Sequence, residues 1–203
     1  MKYIRITTSA NFGNMISMAV AVPFLPFLPM AAKQILLNNL LSDIPAIAIS
    51  TDRVDDSDIV APRHWDLGEL RRFMIVFGLL SSTFDLLTFW LLRAVLDADI
   101  ATFQTAWFTV SLLTELAVLL VLRSGRTLWR TRPSGALLGA SAAVAALALA
   151  VPFVAELHPP LGFTALSWPA MTVVIGVVLG YVACTEAVKS LMFRHIGPHA
   201  APC

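Results

Sequence analysis

Apolar residues fall into six runs, at residues 4–25, 31–50, 70–95, 103–122, 134–155 and 168–193, separated by stretches that carry charges or prolines. Crossing the hydrocarbon core takes roughly 20 helical residues, and each run has about that length. A β-barrel would alternate in-facing and out-facing positions over shorter segments. Runs such as SAAVAALALAV show no such alternation. The pattern predicts an all-α fold: a polytopic membrane protein with a six-helix transmembrane bundle in residues 1–195 and a short tail at 196–203.

Composition supports a bilayer as the solvent. Of 203 residues, 58% are hydrophobic and 13% charged, against about 25% charged in an average soluble domain. The net charge of +1 conceals a strong asymmetry. With the N-terminus placed in the cytoplasm, twelve of the 14 basic residues lie on the inner side, and only Lys33 and Arg93 lie outside. The positive-inside rule therefore predicts three hairpins with both termini cytoplasmic. The basic loops read as orientation signals and lipid-headgroup contacts, not as a nucleic-acid surface. Cys184 and Cys203 make neither a disulfide framework nor a metal-binding pattern.

The longest connector, residues 51–69, is rich in acids (TDRVDDSDIVAPRHWDLGE). It lacks the turn glycine and closing glutamate of a hand-type calcium loop, so it reads as a solvated cytoplasmic connector with Trp65 at the interface.

Polar groups inside the runs carry the candidate chemistry, because an ionisable residue in hydrocarbon is costly and marks a partner or a water-filled path. Asn11 and Asn14 are three apart in the first run, and Asn39 and Asp43 four apart in the second, so each pair shares a helix face. A short proline-bearing link joins these two helices, which predicts antiparallel neighbours whose polar faces close around one ion. Pro45 has no N–H, so the backbone carbonyl of Leu41 loses its helical donor and becomes a further oxygen. Oxygen donors alone suit a hard cation such as Mg²⁺ or Ca²⁺. No set of residues suggests a catalytic or cofactor-binding role.

The stretch NNLLSDIPAIA at residues 38–48 resembles the sixth spanning helix of P-type cation-transporting ATPases, and SANFGNM resembles their fifth. PFLPFLPM, TDRVD, RRFMIVFGLLSSTFDLLTFW, AWFTVSLLTELAVLLVLRS and KSLMFRH follow in the order and spacing of the magnesium-importing branch, with SSTFDLLTF and SLLTEL its most specific parts. The resemblance covers nearly the whole chain. It implies the fifth to tenth helices of the pump's membrane domain, in the cell's inner (plasma) membrane.

The resemblance further implies that Asn39, Ser42 and Asp43 face the transport site, with Asp43 supplying charge, and that Asn11 and Asn14 face it from the neighbouring helix. Glu115 corresponds to a position that helps form a site in some relatives, although a Gln can stand there in magnesium pumps. Asp85 belongs to the branch signature and reads as structural. Glu186 is expected to pair with Lys189. Mg²⁺ is then the transported ion, with ATP used only in the intact pump. The phosphorylation and nucleotide-binding motifs of the family are absent from these 203 residues, so the chain by itself is not expected to hydrolyse ATP. Its expected partner is the N-terminal half of the pump, with the motor domains and first four helices, in cis or in trans. The alternative is a stand-alone six-helix membrane protein, a passive ion path or assembly partner without ATPase activity.

Overall fold

The computed structural model describes residues 2–52, 67–124 and 131–195. Most of the acid-rich connector, including Trp65, lies outside the described residues, as do Arg126, Arg130 and the tail at 196–203.

Among the described residues there are seven α-helices and no strand: α1 (Lys2–Ala21), α2 (Ala32–Ala48), α3 (Leu67–Trp90), α4 (Ile100–Leu122), α5 (Gly135–Ala150), the single turn α6 (His158–Leu161) and α7 (Trp168–His195). Local chemistry sets several ends. The first helix stops at Ala21, four residues short of the predicted end, because Pro23 cannot donate to the ladder. α3 ends in a π-helical turn, Leu91–Val95, followed by Asp97 at φ 44°. α4 starts three residues earlier than the apolar run because Asp99 caps it, its carboxylate accepting from the Thr102 N–H at 3.5 Å. Hydrogen bonding from Thr102 holds the Asp99 carboxyl below its usual range. α5 begins at the Ser134 cap and gives way to tighter turns at Pro152.

The six-span expectation needs refining. Among the described residues, four stretches are long and apolar enough to cross a membrane: Leu70–Val95, Ile100–Leu122, Gly135–Phe153 and Trp168–Met192. α1 and α2 do not meet that test. α2 has 17 residues and both helices carry amides and hydroxyls, which lower their hydropathy.

α4 is the axis of the bundle. In its most apolar window 78% of residues are buried, against 22% to 44% in the other three spans. Phe103, Ala106, Phe108, Val110 and Leu112 lose all contact with the surroundings. Phe89 stacks edge-on to Trp107 and Phe108 packs against Phe163, tying α3 and the α6–α7 link to it. α7 lies along α4, and Lys189 closes the far end by donating to the Val121 carbonyl at 2.9 Å. The expected Glu186–Lys189 pair is formed at 2.8 Å.

The predicted packing of α1 against α2 is corrected. α1 packs chiefly on α3, and α2 packs on α4 and α5. Small residues draw α1 towards α3. A Cβ on Gly13 would meet the Ser81 Cβ at 2.8 Å, and one on Gly78 would meet Phe12 at 2.5 Å. Ser82 Oγ bonds the Gly13 carbonyl at 3.0 Å across this seam. The two polar helices thus face each other across space.

At the Lys33 end, side chains tie the links together. Lys33 Nζ donates to the Pro160 carbonyl at 3.0 Å, Gln34 to that of Leu161 at 3.2 Å, and Gln104 to that of Leu28 at 2.8 Å. Arg93 donates to the Ala98 carbonyl and lies over the Phe27 ring.

Candidate functional site

The space between α1, α2 and α4 is a cavity of about 540 Å³. Asn11 and Asn14 reach it from α1, Asn39, Ser42 and Asp43 from α2, and Glu115 from α4. All six side chains singled out in the sequence therefore line one space. The seventh group differs: Leu41 is not part of the lining, and its side chain packs into the apolar core. Pro45 lies inside α2 and offers no N–H to the Leu41 carbonyl.

Glu115 is the hub. Asn14 Nδ2 donates to its Oε1 at 2.6 Å, and Asn38 Nδ2 donates to Oε1 and Oε2 at 3.2 and 3.3 Å. The Ser42 hydroxyl faces the same carboxylate while also bonding the Asn39 carbonyl at 3.1 Å. One carboxylate thus gathers groups from α1 and α2, which share little direct packing. Bonds from both helices to this one carboxyl group hold the two walls in register.

Two amides donating to Glu115 leave their oxygens available. The Asn38 Oδ1 is buried and has no partner among the described residues, although a buried acceptor is ordinarily satisfied. Asp43 and Asn39 are exposed on the open side of the cavity. Among the described residues no group of three His, Cys, Asp or Glu side chains could hold a metal. The donors here are two carboxylates and several amide or hydroxyl oxygens, the set that suits a hard, partly hydrated cation.

Asn38 was not placed in the site from the sequence, although its four-residue spacing to Ser42 puts both on one face. Trp107 and Ser111 also line the cavity and carry no sequence signal apart from lying on the helix of Glu115. Behind Trp107, its Nε1 donates to Asp85 Oδ1 at 3.0 Å, and Ser17 Oγ donates to Asp85 Oδ2 at 2.6 Å. Asp85 is 3% exposed and does not line the cavity. It joins α1, α3 and α4, in keeping with its structural reading.

On the other face of α4 an apolar crevice of about 290 Å³ runs between α4, α5 and α7. Leu116 borders both this crevice and the polar cavity.

The described helices thus form an apolar bundle with amides and carboxylates gathered around an internal space. Residues 27–191 match the family described as the C-terminus of cation transporting ATPases. The chain belongs to that family. It is 36% identical over 202 residues to the magnesium-transporting ATPase, P-type 1, of Salmonella typhimurium and 37% identical to that of Escherichia coli. A further Salmonella typhimurium protein of that name is 32% identical. Each alignment covers 97% of this chain and 22% of the relative, so the chain spans about a fifth of the length of these proteins.

Proposed function

We propose that this chain forms the cation path of a magnesium-importing P-type ATPase, with the α1–α2–α4 cavity as part of its transport site. The carrying observation is the convergence of Asn11, Asn14, Asn39, Ser42, Asp43 and Glu115 on one cavity. The identity with magnesium-transporting ATPases supports Mg²⁺ as the cargo. Mg²⁺ sheds water reluctantly and is held by one or two carboxylates plus water, which accords with Asp43 and Glu115 as the charged donors. Asn14, Asn38, Asn39 and Ser42 orient Glu115 or contact the ion's water shell.

In this reading α1 and α2 also span the inner membrane, their polar faces tolerated because they line a cavity, and both termini are cytoplasmic. The partner is the rest of the pump. Leu36, Leu40, Ile44 and Ile47 form an exposed stripe on α2, 48% to 71% accessible, beside the open side of the cavity. That stripe suits coverage by the remaining membrane helices, which would complete the site. ATP turnover belongs to the intact pump.

The test is Asp43→Asn in the full-length pump, with Mg²⁺ uptake measured against external Mg²⁺. Uptake should fall to background, or its half-saturating concentration should rise by at least about tenfold, equivalent to ~1.4 kcal/mol. An unchanged Mg²⁺ dependence would remove Asp43 from the site.

A further inference from the structure

Far from the Lys33 end, three pieces of chain meet in a buried polar knot. After Ala48, α2 tightens into the 3₁₀ turn Ile49–Thr51, which Asp52 closes. Arg123 follows the last residue of α4, and Ser134 caps α5. Arg123 Nη1 reaches Asp52 Oδ1 and Oδ2 at 3.3 and 3.2 Å, and Nη2 donates to the carbonyl and hydroxyl of Thr131. The Asp52 Oδ1 also accepts from the Ser134 N–H at 3.1 Å, and the hydroxyls of Thr51 and Ser134 are 2.9 Å apart. The Arg123 and Asp52 side chains are 2% and 1% exposed.

We propose that Asp52 and Arg123 are positioning residues for the transport site. They fasten the end of α2 to the α4–α5 body and so fix the height and rotation of the wall that carries Asn38, Asn39, Ser42 and Asp43.

Three observations bear on this. Asn38, through its bonds to Glu115, ties α2 to α4 in the middle, and Gln34 ties it at the Lys33 end to the α6–α7 link, while the Asp52 end is held by the knot's polar bonds together with the burial of Ile49 in the apolar core. α1, the opposite wall, packs chiefly on α3. Finally, a buried ion pair contributes little net stability compared with an apolar replacement, but breaking it from one side leaves an uncompensated charge. An arrangement held by such a pair is therefore costly to disturb from one side alone. Asp43 lies nine residues before Asp52, within the reach of a rotation at that end.

The inference rests on the proposed transport role of the cavity. Its test is Mg²⁺ uptake by the full-length pump carrying Asp52→Asn, Arg123→Gln, both together, or Asp43→Asn, normalised to the amount of folded protein. Each single change should raise the half-saturating Mg²⁺ concentration by about fivefold or more, the scale of ordinary coupling between sites. The paired change should be no worse than either single change, because both remove one interaction. Arg123→Lys, which keeps the charge and loses the fork, should fall between parent and Arg123→Gln.

Where a single variant fails to accumulate, the paired variant, free of an unpaired charge, is read in its place. Unchanged Mg²⁺ dependence in folded variants, additive losses in the pair, or failure of even the paired variant to fold each overturn the positioning role. If Asp43→Asn shifts the dependence and Asp52→Asn does not, the knot alone is refuted. If neither shifts it, the transport-site reading fails first.

Discussion

Asp85 and Glu115 are both carboxylates in apolar helices, yet their surroundings give them different tasks. Asp85 is enclosed by Ser17 and Trp107, with both oxygens satisfied by protein donors. Asn in its place would turn an NH₂ group towards one of those donors, at a cost of about 1–3 kcal/mol. Asp85→Asn is therefore expected to lower yield and melting temperature in detergent while the surviving protein keeps its Mg²⁺ dependence. A loss of Mg²⁺ affinity at normal stability would move Asp85 into the transport site. At this scale the sequence was informative where spacing spoke, as for Asn11 with Asn14 and Asn39 with Asp43. It was silent on Glu115 as the hub, because that role depends on contacts 101 and 77 residues away along the chain. No local pattern encodes such a meeting.

Helix existence was legible from apolar run length, while helix ends followed from particular residues: Pro23, Asp99, Ser134 and Pro152. Packing partners were not. The short link between α1 and α2 invited an interface between them, but glycines and serines at the α1–α3 seam let those two helices approach more closely. Gly13→Ala should show how tight that seam is. The added methyl group meets the Ser81 Cβ at 2.8 Å and the Gly78 carbonyl at 3.0 Å, and overpacking of this kind costs about 1–3 kcal/mol. Gly139→Ala, where nothing lies within 4 Å, should stay within about 0.5 kcal/mol of the parent. Equal melting temperatures for the two variants would mean that the seam is looser than described.

For the molecule as a whole, orientation is the property that the basic residues address most directly. With Cys184 and Cys203 replaced by Ala, Lys33→Cys should react with a membrane-impermeant maleimide in intact cells. Arg132→Cys should react only after the membrane is opened. The reverse pattern would invert the proposed topology. Lys33 and Arg93 meet the links at one end of the bundle, while Arg123 and Lys189 are held at the other, so the fold keeps the two groups of basic residues apart.

Leu116 connects these scales. It borders the polar cavity on one side of α4 and the apolar crevice on the other. At that height a single leucine side chain separates the polar space from the apolar one. Under the proposed transport role, shortening this side chain would join the two spaces, so the helix at the core of the bundle would also be the partition between a wet compartment and a dry one.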